Sequence, residues 1–242
     1  MRTVYREQMD SFAHDLILMC DHIHGMNRLA GRALFDADLE AAEQALSALD
    51  HLGELRGQCE EKAFELLARE APVARDLRQV VSGIYIVEDM ARMGTLSVHV
   101  ANTARRRHPE YVLPDDIAGY FREMGKVCDQ MTTATHDILI TYDVEAALHL
   151  NRDDDQIDDI HRLLLAKTSA ADWPYDSRVT VDVTLLSRFF ERYADHAVAV
   201  AAQVVYLASG LKPDELLLQR EIAQEDELFE ARIHELERHF RR

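Results

Sequence analysis

The sequence predicts an all-α protein made of two pseudo-symmetric three-helix bundles, six long helices in all, followed by a C-terminal helical extension. Three observations predict it. The composition is poor in turn and strand formers, apolar residues recur at helical spacing over long stretches, and segments of the first half recur roughly 100 residues later.

Only 9 glycines and 5 prolines occur among 242 residues, while 48% of the chain is hydrophobic. That is enough to bury a sizeable core, and the abundance of Ala, Leu, Glu and Arg favours helices. Leu77, Val80, Ile84, Val87, Ala91, Gly94, Val98 and Ala101 advance in steps of three and four, as one buried helical stripe does. Leu185, Phe189, Tyr193, Ala197, Val200, Val204 and Leu207 form a second such stripe, closed by Gly210 and Pro213. Tyr85, Phe189 and Phe190 are assigned to the core on the same grounds.

Breaks at Phe35–Asp38 and Thr141–Asp143 make Asp38 and Asp143 N-caps of the helices that follow, and Pro72 suits the first turn of another. The expected helices run 3–33, 36–69, 73–107, 115–141, 143–170 and 177–209. Short connections make neighbours antiparallel.

Asp38-Leu39-Glu40-Ala41-Ala42 recurs as Asp143-Val144-Glu145-Ala146-Ala147, and Cys20-Asp21 recurs as Cys128-Asp129. Asp76-Leu77-Arg78 is answered by Asp176-Ser177-Arg178, and Arg92 by Arg192 in the same frame. The order and nearly constant offset divide the chain into repeats at 1–110 and 111–210, with 211–242 outside them. In that last segment Leu228, Ile233, Leu236 and Phe240 lie among charges, the pattern of an amphipathic helix.

The 44 acidic residues against 27 basic ones leave a charge of −17, a field that opposes nucleic acid and anionic membranes. Arg105-Arg106-Arg107-His108 reads as compensation of a helix C-terminus before Pro109. The 3 cysteines are far apart without a C-x-x-C pair, which fits a reducing, cytoplasmic setting. The N-terminal residues are charged rather than signal-like, and the apolar run Ala197–Ala208 is too short to span a bilayer, so no membrane insertion is expected.

The chemistry-bearing candidates are acids. Glu191 and Asp195 stand one helical turn apart, and Asp155, Asp158 and Asp159 share a face of the preceding helix, which an antiparallel hairpin can bring opposite. Carboxylates gathered from two segments suit a hard or borderline cation. Arg188 and Arg192, three residues before Glu191 and Asp195, offer local ion pairs instead. No Glu-x-x-His, H-E-x-x-H, G-x-S-x-G, P-loop or dinucleotide turn occurs, so no catalytic centre is expected.

These residues resemble the PhoU family, accessory regulators of phosphate uptake. Glu191-Arg192-Tyr193-Ala194-Asp195-His196-Ala197 is similar to the family's E-R-[IM]-G-D-H-A run, Tyr206–Gly210 to its usual helix ending, Pro72–Arg78 to P-V-A-x-D-L-R, and Asp154–Asp158 to D-D-x-[IV]-D. The resemblance implies two three-helix bundles, here expected to join end to end. It also implies a divalent or iron/zinc metal ion on Glu191 and Asp195, with Asp155 and Asp158 as facing acids. Ala91 and Thr95 occupy the matching places in the first half, so the metal is expected in the second bundle only, and Glu88 is expected to pair with Arg92.

The function implied is that of a non-enzymatic negative regulator. Its partners would be the ATPase subunit of a phosphate ABC transporter, a phosphate-sensing histidine kinase and, as a homodimer, a second copy. An acidic surface meeting basic partner patches would make association salt-sensitive. The rival readings are a metal-dependent hydrolase on the acids Asp155, Asp158, Glu191 and Asp195, and a plain helical scaffold.

Overall fold

A computed structural model describes residues 2–224. The helices are α1 (Arg2–Asp36), α2 (Leu39–Glu70), α3 (Ala74–Arg107), α4 (Asp115–Thr141), α5 (Val144–Thr168) and α6 (Ser177–Ser209). A seventh, α7 (Pro213–Gln224), follows a bend of 54° after α6. No strand occurs among the described residues. Leu228, Ile233, Leu236 and Phe240 lie outside them.

The helix starts are set by aspartates. Asp38 accepts a hydrogen bond from the Ala41 amide, Asp143 from Glu145 and Ala146, and Asp176 from Val179. Each satisfies an amide that the first turn leaves without a partner, worth about 1 kcal/mol. The residue before the first two caps is left-handed in both repeats, Ala37 at φ 51° and Tyr142 at φ 54°. The same sharp turn thus reverses the chain at equivalent places. Pro72 lies just ahead of α3, whose N-cap is Val73.

Helices α1–α3 pack on one another, as do α4–α6. The two bundles lie side by side rather than end to end, because α3 runs along α6 and α1 along α4. Both contacts are antiparallel. His196 meets Asp89 at 2.9 Å, while His99 stacks on Phe189 with ring centroids 5.2 Å apart and Arg107 reaches Asp182. On the other layer His24 meets Asp129 at 2.8 Å and His136 meets Asp21 at 3.3 Å. Asp21 and Asp129 are the repeat-equivalent positions, each facing a histidine of the opposite repeat. One continuous apolar core results, including Phe12, Ile23, Ile86, Phe121, Leu186 and Val204.

Burial repeats with the sequence. Val81 and Val181 are exposed, the next two residues of each helix are buried, and Tyr85 and Leu185 are exposed again. Tyr85 is therefore not core, being 56% exposed, and Leu77 and Leu185 also reach solvent. The core of α3 faces α1, α2 and α6, which leaves one outer row at 77, 81 and 85. Phe190 is buried as expected, and Phe189 is half-buried against His99.

The basic run is absorbed by local partners. Arg105 lies 3.4 Å from Glu43, Arg107 pairs with Asp182, and His108 Nδ1 is 3.1 Å from the Ala37 carbonyl. Helix α7 is tied back by Arg220 to Glu145 at 2.5 Å, and its Leu216 packs on the core. No single described helix is long and apolar enough to cross a membrane. The apolar residues of α6 line the core instead.

Candidate functional site

The acidic residues converge where α5 lies along α6. The core stripe of α5 is Leu150, Ile157 and Leu164, spaced by seven. Asp154 falls between Leu150 and Ile157 on that stripe and is carried inward, half-buried. Opposite it, Glu191 is only 8% exposed. Asp158, one turn after Asp154, is partly covered, and Asp195, one turn after Glu191, stands at the rim.

The charges of these carboxylates act on one another. The Asp154 carboxyl is pushed up to about 6, first by burial and then by the charges of Asp195, Asp158, Asp155 and Glu191. Glu191 is raised by burial and by Asp195, against the opposing pull of Arg188. Asp154 Oδ1 and Glu191 Oε2 are both buried without a hydrogen-bond partner. Two buried carboxylate oxygens without donors cost free energy, which a cation or a retained proton relieves.

Partners on the outside limit the set. Arg188 donates to Glu191 Oε1, and Arg162 donates to Asp158 at 2.6 Å and to Asp159 at 3.0 Å. Asp155 is exposed and contributes only at a distance, so Asp154 takes the inward place that the sequence reading gave to its neighbour. The physical reason is register: the α5 core positions advance by seven, and residue 154, not 155, lies on their side. Among the described residues no three acidic, histidine or cysteine side chains stand close enough to hold one ion in a ready-made cage. The donor set is nevertheless all carboxylate oxygen, which fits a hard cation such as magnesium or manganese better than iron or zinc. His161, beside this cluster, holds Ser187 Oγ at 3.0 Å, and its imidazole is lowered by burial and by Arg188.

The matching surface of the first repeat is a different chemistry. Ala91 is buried and Thr95 returns its hydroxyl to the Ala91 carbonyl at 2.9 Å. Glu88 pairs not with Arg92 but with Arg56 of α2, which also holds Glu60 at 2.7 Å. The neighbouring helix supplies the guanidinium because Arg92 points outward and is exposed. Glu54 sits 3.1 Å from His51.

A PhoU domain model matches residues 16–104 and again residues 121–204, one copy within each three-helix bundle. The chain belongs to the PhoU family. The phosphate-specific transport system accessory protein PhoU homolog 2 of Mycobacterium tuberculosis is 44% identical over 213 residues, covering 88% of this chain and 100% of the relative. PhoU homolog 1 of Mycobacterium leprae is 42% identical over 215 residues, covering 89% and 97%. The crystal structure of PhoU from Pseudomonas aeruginosa superposes with a TM-score of 0.76 at 25% identity, over 86% of this chain and 100% of that one. The PhoU structure from Streptococcus pneumoniae gives 0.77 at 20% identity, over 86% and 98%, and so shares the fold. The curated relatives are named as accessory proteins of phosphate-specific transport systems.

Proposed function

We propose that this PhoU chain is a non-catalytic negative regulator of phosphate uptake. In this reading it docks from the cytoplasm on the ATPase subunit of a phosphate ABC transporter and couples transporter state to a phosphate-sensing histidine kinase. The observation that carries it is the doubled PhoU match, which spans both bundles of a chain whose relatives are named as transport accessory proteins. A rigid single-core molecule suits the role, because it acts by binding one partner state better than another. Homodimerisation is a separate part of the proposal, and the regulatory role does not depend on it.

The same reading gives the second bundle one hard divalent cation. Glu191 and Asp154 would hold it from the buried side, with Asp195 and Asp158 at the rim, and it would remove the mutual repulsion of these acids. The cation serves as a structural and electrostatic clamp between α5 and α6.

Co-purification of the tagged chain with the transporter ATPase tests the regulatory reading. Retention at low ionic strength and loss at high salt is the expected result, and failure to associate with the ATPase at any salt contradicts it. Manganese titration followed by thermal unfolding tests the clamp: stabilisation is expected in the parent chain and is abolished in Glu191→Gln.

A further inference from the structure

A second feature lies where α3 begins and α6 ends, apart from the acids. A cleft of about 300 Å³ opens between the start of α3, the α4–α5 turn and the end of α6, lined by Arg75, Gln79, Tyr142, Leu207 and Ala208. Arg78 flanks it. The guanidinium of Arg78 lies 3.7 Å from the point where a Cβ on Gly210 would sit, and 5.9 Å from the ring of Tyr206. Its Nε is buried and has no hydrogen-bond partner.

These cations stand out in a chain of charge −17. Every arginine ion pair among the described residues lies elsewhere, so neither Arg75 nor Arg78 has a carboxylate partner there. The nearby Asp76 is engaged by the Tyr5 hydroxyl at 3.0 Å. Burial raises the Tyr142 phenol against the opposing pull of Arg75, so it keeps its proton as a donor. The cleft also sits on the first turns of α3, whose N-cap, Val73, makes no side-chain hydrogen bond, while its carbonyl accepts from the Asp76 amide at 3.2 Å.

The pseudo-symmetry shows why the cleft is open. Leu207 and Ala208 occupy the places that Arg107 and His108 hold in the first repeat, and Tyr142 the place of Ala37. At that other end His108 lies over the turn, 3.1 Å from the Ala37 carbonyl, and Arg107 is committed to Asp182. With alanine in place of histidine, this end keeps a cleft lined by Arg75 and flanked by Arg78.

We infer that this cleft binds a phosphate group, either inorganic phosphate or a small phosphate monoester. Guanidinium groups give such a dianion paired, charge-assisted donors, and Gln79 and Tyr142 add neutral ones. The inference rests on the cleft alone and holds whether or not the chain meets a transporter.

Isothermal titration of the purified chain with inorganic phosphate, and separately with glycerol 3-phosphate, at physiological ionic strength tests it. Saturable binding of either is expected, and the comparison identifies which form is preferred. Arg75→Gln and Arg78→Gln should each weaken it about tenfold, and Ala208→Trp, which puts a bulky side chain into the lining, should abolish it. Arg69→Gln, which removes an equal charge from an exposed site paired with Glu65, should leave binding unchanged. Thermal unfolding of each variant confirms that it is folded. Absence of saturable binding, binding confined to anionic lipid vesicles, or equal weakening by Arg69→Gln would overturn the assignment.

Discussion

Arg107 and Asp182, 75 residues apart, form a nearly buried ion pair across the contact of α3 with α6, with Nε donating to Oδ2 at 2.7 Å. Their side chains are only 10% and 13% exposed. Removing one partner leaves the other charge buried, which costs about 3–5 kcal/mol. Asp182→Ala should therefore lower the thermal midpoint by many degrees, while Arg106→Ala on the exposed side of the same turn should move it little. Equal midpoints for the two variants would show that the pair does not clamp the repeats.

Glycines separate close approach from simple helix interior. A Cβ on Gly94 would lie 2.3 Å from Leu52 Cδ2 and 3.4 Å from Met26 Sδ, whereas nothing stands within 4 Å at Gly53. Leu52 is itself buried, so Gly94→Ala should cost about 1–3 kcal/mol through overpacking. Gly53→Ala should stabilise α2 by about 0.5–1 kcal/mol, since alanine restricts the unfolded chain and suits a helix. Denaturant unfolding measures both signs.

The acidic cluster sets a pH dependence. In the folded chain Asp154 titrates near 6 against an ordinary 3.8, so between these values the folded state holds more protons than the unfolded state. Stability should accordingly fall as pH rises through that window, in protein freed of metal by chelation. Asp154→Asn should flatten the dependence and raise the midpoint at pH above it. A stability that climbs with pH through this window in the parent, unchanged by the substitution, would contradict the geometry.

The thiols should be silent. Cys20, Cys59 and Cys128 are free and buried, and burial pushes Cys20 and Cys59 up to about 12 and Cys128 higher still. Thiolate is the reactive form. Aromatic disulfide reagents should label none of them in the native chain at neutral pH and all 3 after denaturation.

The helices were legible because their signals are local. Apolar periodicity and the caps Asp38 and Asp143 act within a few residues, and the recurrence of sequence at fixed offset marked the repeats. Asp154 was harder to find because three consecutive aspartates look alike by composition. The discriminating signal was the spacing of Leu150, Ile157 and Leu164, which places residue 154 inward and 155 outward. The side-by-side contact is a non-local property that loop lengths do not encode. Its trace lies in the small polar residues of α3: Ser82, Ser97 and Thr103 are buried, and Ser97 and Thr103 return their hydroxyls to the preceding turn at 3.2 and 2.9 Å. Such residues permit close approach of another helix without an unmet donor. Glu88 illustrates the opposite failure, since an in-helix arginine at the right spacing lost to one from α2.

The antiparallel pairing of α3 with α6, and of α1 with α4, is the kind of contact that two copies of one polypeptide make about a two-fold axis. Severed between α3 and α4, each half would present an uncovered apolar flank whose best available cover is another half. The chain thus has the architecture of a dimer whose two copies are tethered, and the tether lets each half carry side chains that the other lacks.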